Sequence, residues 1–157
     1  MELIHTGLVC REMAAAQAQL SALLGVHWVG GDEEEWSLTL EGTPCRLPLR
    51  IAHASNGAAN FELIEAVAGT PWVTEQELVQ HHLCFYAEDS VALCRELEGQ
   101  GYRRVMGEVG EPQGYFQAPD GLLLEVIGDG LRDYLTTFYQ RSLAKAMASS
   151  GGEVGLL

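Results

Sequence analysis

HHLCFYA, residues 81–87, sets two adjacent histidines at the head of a short apolar run with the character of a strand. A similar opening stands near the start of the chain, where IHTGLVC (4–10) carries His5 ahead of small and apolar residues. Setting His5 over His82, an offset of 77, also sets Leu20 over Leu97 and brings Gly25 and Gly101 within one residue of each other. Each run leads into a helix-favouring stretch, REMAAAQAQLSALLG (11–25) and VALCRELEGQG (91–101), the second capped by Asp89 or Ser90. Strand-like pieces follow in both halves: VHWVG, EWSLTL, RLPLRIAHA and NFELIEA, then YRRVMG, GYFQAP and GLLLEVIG. Gly-Gly, Gly-Thr-Pro and Ser-Asn-Gly between them read as chain reversals. VAGTPWVTEQELV reads as a linker that turns at Gly69-Thr70-Pro71 and ends in a short helix. The pattern predicts two copies of β-α-β-β-β, about 1–67 and 80–129, with helices over 11–24 and 90–99 on the outside.

In both halves the last strand holds a glutamate among apolar neighbours: Phe61-Glu62-Leu63-Ile64 and Leu124-Glu125-Val126-Ile127. A single glutamate of this kind is ordinarily on a solvated strand face, because removing an unpaired carboxylate from water costs several kcal/mol. Two at the same place in two repeats, each preceded by a strand-leading histidine, favour another reading. A divalent cation between the halves would neutralise both carboxylates and accept a lone pair from each neutral imidazole. His5 with Glu62 and His82 with Glu125 would supply it. Mixed imidazole and carboxylate ligands suit zinc, nickel, cobalt, manganese or iron(II) alike.

The chain of 157 residues is long enough for one domain with a sizeable core or two small tandem modules. Its 9 basic and 22 acidic side chains give a net charge of −13, which argues against a nucleic-acid partner. An anionic substrate would need a local basic feature to overcome that field. Cys10, Cys45, Cys84 and Cys94 form no CxxC pair and read as reduced thiols, which points to the cytoplasm. No stretch has the form of a signal peptide or the length of a membrane span.

IHTGLVC and HHLCFYAED, with FELIEA and APDGLLLEVIG, resemble the ligand strands of the vicinal oxygen chelate superfamily, which includes glyoxalase I, methylmalonyl-CoA epimerase, extradiol dioxygenases and bleomycin-resistance proteins. The Pro119-Asp120-Gly121 turn before the last strand is typical of it. The resemblance spans about residues 3–128. It implies an α+β fold of two pseudo-symmetric modules whose mixed sheet curls around an open cleft, as one domain over 1–130. It further implies a metal bound by His5, Glu62, His82 and Glu125, with His81 an outward neighbour of His82 that either supports the ligands from behind or is merely exposed. The four-residue set resembles the lyase and epimerase branches, which implies a metal-dependent isomerase, epimerase or lyase acting on a small α-oxygenated carbonyl compound through a stabilised enolate. An extradiol-type dioxygenase and a non-catalytic binding or resistance protein are the alternatives. A homodimer is also implied.

By the same resemblance Glu62 or Glu125 moves a proton during catalysis. Methylmalonyl-CoA epimerases carry a further acid on the strand before the first Glu strand. In EGTPCRLPLRIAHA (41–54) the only acid is Glu41, displaced towards the turn, which speaks against that activity. His53 is a possible substitute proton carrier, although a lone histidine on a strand is ordinarily just tolerated. No cluster beyond Arg46 and Arg50, or Arg103 and Arg104, stands out to receive the carboxylates of glutathione. Outside the resemblance, 131–157 reads as a helix and tail. Leu131, Tyr134, Leu135, Phe138, Leu143 and Met147 share one face, for packing on the domain or on a partner chain, and ASSGGEVGLL is read as frayed.

Overall fold

The computed structural model describes residues 1–150. Its elements run β1 (Glu2–Cys10), α1 (Met13–Leu24), β2 (Val29–Leu40), β3 (Thr43–Ser55), β4 (Asn60–Glu65), β5 (Leu78–Tyr86), α2 (Ser90–Gly99), β6 (Arg103–Glu108), β7 (Gly114–Gln117), β8 (Leu123–Ile127) and α3 (Asp129–Ser150). The fold is α+β, with one mixed sheet of eight strands in the order β1-β4-β3-β2-β6-β7-β8-β5. β1 runs parallel to β4 and antiparallel to β5, and β5 runs parallel to β8. The sheet was expected to stay open as a curled cleft. Instead it closes into a barrel through a short ladder from Leu38–Glu108 to Leu40–Met106, between β2 and β6.

Both outer helices follow local chemistry. Glu12 caps α1 by accepting from the Ala15 amide, and Gly25 ends it in the left-handed region at φ 67. Asp89 caps α2 through the Ala92 amide. α1 buries Met13, Ala16 and Leu20 against Cys10, Ala52 and Leu63, while α2 buries Cys94 and Leu97 against Phe116 and Val126. Because side chains alternate along a strand, the residues between these positions face the interior of the barrel.

Two local expectations fail. Gly30-Gly31 is not a chain reversal: β2 runs through it, with a register shift against β3 between Gly30 and Glu33 and both glycines at positive φ. These glycines bend the strand as a bulge does, so the two expected strand pieces are one. The linker does not end in a helix. Residues 66–77 pass without one into β5, anchored by Trp72, which is buried against Tyr115.

α3 packs on its own barrel from the interior side. Leu135 and Tyr139, one helical turn apart, bury against Cys84 and Ile127. Ser142 accepts from the Ser55 amide at 2.9 Å and donates to the His27 carbonyl. The buried part of this face omits Tyr134 and Met147, which are largely exposed, and includes Tyr139, which is not among the six residues expected there. Residues 148–150 of the expected tail belong to this helix, and the remainder of that tail lies outside the described residues.

Candidate metal centre

Two rows of side chains cross the barrel. In one, His53 on β3, Glu62 on β4, Gly7 on β1 and His82 on β5 stand in register. In the other, His5 on β1, Cys84 on β5, Glu125 on β8 and Tyr115 on β7 do the same. His5 and Gly7 are two residues apart, as are His82 and Cys84, so both rows lie on one face. Each row joins a histidine from one half of the chain to a glutamate from the other, with a small residue between them. Gly7 is small by necessity, because a Cβ there would lie 1.9 Å from Cε1 of His82.

The four expected ligands converge. Nε2 of His5 lies 3.3 Å from Nε2 of His82, 3.3 Å from Oε2 of Glu125 and 3.6 Å from Oε2 of Glu62. Nε2 of His82 lies 3.3 Å from Oε2 of Glu62 and 3.6 Å from Oε2 of Glu125. All four side chains are buried. Oε2 of Glu62 and Oε2 of Glu125 nonetheless make no hydrogen bond. Buried carboxylate oxygens without a partner are costly, and here both point where two imidazole nitrogens also point. Ligands about 2.0–2.2 Å from a shared centre at near-tetrahedral angles stand roughly 3.3–3.6 Å apart. The donor set fits a divalent cation of the borderline class.

The second nitrogen of each imidazole is fixed from behind. Nε2 of His81 is 2.8 Å from the Pro71 carbonyl, which can only accept, so His81 donates there. Burial holds His81 below its ordinary pKa and so favours the neutral ring, which leaves its Nδ1 as an acceptor. Nδ1 of His82, at 3.0 Å, must then donate to it, which directs His82 Nε2 to the centre. His5 is served differently, with its Nδ1 2.8 Å from the Tyr139 hydroxyl. His81 is therefore not the outward neighbour expected from strand alternation. The β1–β5 register skips from Gly7–His82 to Leu8–Gln80, so His81 is the extra residue of a bulge and turns towards His82.

Electrostatics agree with a cation-accepting cluster. Burial pushes the Glu62 carboxyl up, but His5, His53 and His82 outweigh it and hold it well below the usual carboxylate range. Burial likewise opposes ionisation of Glu125, while His5 and His82 bring it down to about 2. Burial lowers His82, and the carboxylates of Glu125 and Glu62 reverse that, raising it to about 9. Burial and the nearby carboxylates raise the Tyr115 and Tyr139 hydroxyls, which stay neutral.

A cavity of about 620 Å³ reaches this cluster, with Glu62, Glu125 and His53 in its wall. His53 puts Nε2 3.2 Å from Oε1 of Glu62, leaves Nδ1 without a partner and stacks obliquely on Phe138. Glu41, by contrast, is exposed in the β2–β3 turn and paired with Arg103, away from the cavity wall. In the alternation leading to His53, the positions that face the cavity are Leu49 and Ile51.

Comparison with known proteins identifies the family of this barrel of mixed strands with its internal His2Glu2 cluster. A family model described as Glyoxalase/Bleomycin resistance protein/Dioxygenase superfamily matches residues 4–117, and the chain belongs to that superfamily. The matched span holds His5, Glu62 and His82 and ends before Glu125 and α3. Among solved structures, methylmalonyl-CoA epimerase from Mycobacterium tuberculosis is 21% identical with a TM-score of 0.55, covering 80% of this chain and 86% of that one. A single-substitution variant of the Streptomyces coelicolor methylmalonyl-CoA epimerase, in complex with 2-nitronate-propionyl-CoA, is 16% identical with a TM-score of 0.55, covering 82% and 94%. A hypothetical protein from Bacillus halodurans is 14% identical with a TM-score of 0.55, covering 82% and 94%. Comparison with curated proteins gives no match.

Proposed function

We propose that the protein is a metal-dependent isomerase, epimerase or lyase that moves a proton next to the carbonyl of a small α-oxygenated compound. The observation that carries this reading is the meeting of His5, Glu62, His82 and Glu125 at the floor of a cavity, with one oxygen of each glutamate making no hydrogen bond. These four side chains would hold the cation, and zinc, nickel, cobalt, manganese and iron all suit them. When bound, a divalent cation supplies Lewis-acid stabilisation of the charge that develops on a carbonyl oxygen as an adjacent C–H is deprotonated. Glu62 and Glu125 are the candidate carriers of that proton, since both line the cavity. His53, bonded to Oε1 of Glu62, stands next to that carboxylate and can pass the proton on.

The two halves are proposed to be pseudo-symmetric modules of one domain over 1–130, supported by their matching element order and matched ligand pairs. The cytoplasm is the proposed compartment, on the strength of four unpaired cysteines. Among the described residues no helix is long and apolar enough to cross a membrane. A homodimer, if formed, would carry one complete site per chain, because all four ligands and α3 come from the same chain. The test is exchange of the acidic C–H of α-hydroxyketones and 2-oxoaldehyde–thiol adducts in deuterated water, followed by NMR. Exchange that needs a divalent cation and disappears with Glu125→Gln supports the proposal. Oxygen-consuming ring cleavage with iron, or tight ligand binding with neither metal nor turnover, contradicts it.

A further inference from the structure

The wall of the cavity is one-sided in charge. Beyond the buried cluster its lining includes the acidic residues Glu108, Glu111 and Asp129, and none of the nine basic residues of the chain is part of it. Residues 151–157, outside the described part, contain no Lys or Arg either. Most of the basic groups have other partners. Arg11, Arg46, Arg50 and Arg103 pair with surface glutamates. Arg132 lies over the Tyr86 ring, whose hydroxyl donates to Asp129, Arg141 lies over the Phe138 ring, and Lys145 bonds the Trp28 carbonyl. Arg104 comes nearest in sequence to the acidic stretch of the wall, yet its guanidinium bonds the carbonyl oxygens of Glu108, Glu111 and Gln113 and so shapes the β6–β7 turn.

The rest of the wall is apolar and aromatic, with Trp36, Leu49, Ile51, Trp72, Tyr115 and Tyr134 prominent. At the floor, Glu62 and Glu125 already neutralise the two charges of a divalent cation, so little net positive charge remains to attract an anion. A carboxylate or phosphate entering here would lose its hydration and meet Glu108, Glu111 and Asp129 with no basic side chain in the wall to pair with it. The net charge of −13 adds to that repulsion at the entrance. Aromatic and aliphatic walls instead reward a body that sheds water willingly.

We infer that this site takes an uncharged molecule with two adjacent oxygens on an apolar body, and discriminates against anionic carriers such as phosphorylated thioesters. The inference rests on the metal-site reading above and adds the substrate class. Three probes separate charge from apolar bulk while keeping adjacent oxygens: 2-hydroxyacetophenone is neutral and aromatic, mandelate is anionic and aromatic, and hydroxyacetone is neutral and small.

Zinc uptake is measured first, by calorimetry on the full chain without probe. Absence of uptake, or uptake unchanged in Glu125→Gln, overturns the metal reading itself. On the zinc-loaded protein, quenching of Trp fluorescence then reports probe binding, because Trp36 and Trp72 are in the wall. The expected order is 2-hydroxyacetophenone more than about tenfold tighter than either other probe. Replacing Glu108 and Glu111 together by Gln should narrow the gap between 2-hydroxyacetophenone and mandelate. Mandelate or an acyl-CoA thioester binding as tightly as 2-hydroxyacetophenone, or zinc-loaded protein that binds none of the probes, overturns the inference.

Discussion

The hydroxyl of Tyr139 lies 2.8 Å from Nδ1 of His5, a residue 134 positions earlier in the chain. The contact ties the C-terminal helix to the floor of the barrel, and it has a chemical consequence. When His5 donates its Nδ1 hydrogen to that oxygen, the Nε2 lone pair is left facing Glu125 and His82. Tyr139→Phe should leave the fold intact, since the ring still packs on Cys84 and Ile127. It should lower divalent-cation affinity by about 10–100-fold, as removal of a ligand's supporting hydrogen bond commonly does. Competitive titration against a chelator measures this, and unchanged affinity would reduce Tyr139 to a packing residue.

His81 gives a parallel prediction through a different contact. It bridges the Pro71 carbonyl and Nδ1 of His82. His81→Ala should weaken cation binding by a similar factor of about 10–100 while sparing His5 and both glutamates. The same chelator titration checks it. An effect far smaller than that of Tyr139→Phe would mean that His82 is oriented by its strand alone.

Gly7 makes a steric prediction. A methyl group at this position would lie 1.9 Å from the His82 ring, so Gly7→Ala must push that ring out of the cluster. Far-UV circular dichroism should stay near that of the parent protein while the stoichiometry of bound cation falls towards zero. Full occupancy in the variant would show that the ring can leave Gly7 without leaving the site.

Proton linkage can be signed from the shifts in the cation-free protein. His82 rises on folding from 6.5 to about 9, so its contribution to stability is full below 6.5 and is lost as pH climbs through about 9. Glu125 falls from 4.5 to about 2, so its contribution is present above 4.5 and is lost as pH drops through about 2. A cation needs His82 unprotonated, and its uptake near neutral pH should release about one proton per ion. Calorimetry in two buffers of different ionisation enthalpy reads that number directly. Uptake without proton release would contradict a ligand role for His82.

Much of the site was legible because its chemistry sits against the local pattern. Glu62 and Glu125 interrupt apolar strands, and His5 and His82 recur at a matched place, so the four stood out without any knowledge of the register. What supports them was not legible. The side of the sheet that His81 faces depends on a bulge set by pairing with β1, and simple alternation gave the wrong side. Tyr139 lies one turn from Leu135 on a helix whose buried face depends on where the barrel stands, and helical spacing alone points to the exposed Met147 instead. The doublet Gly30-Gly31 carries the chemistry of a turn, yet its ladder with β3 resumes beyond it. In each case a long-range partner overrides a local rule.

The central claim is that His5, Glu62, His82 and Glu125 hold one divalent cation at the floor of the cavity. An anomalous-diffraction map from crystals of the zinc-loaded protein tests it most directly. The account predicts one strong peak per chain, about 2.0–2.2 Å from Nε2 of His5, Nε2 of His82 and a carboxylate oxygen of each glutamate. A zinc peak elsewhere on the chain with this cluster empty, or a peak coordinated by His81 in place of His82, would contradict it.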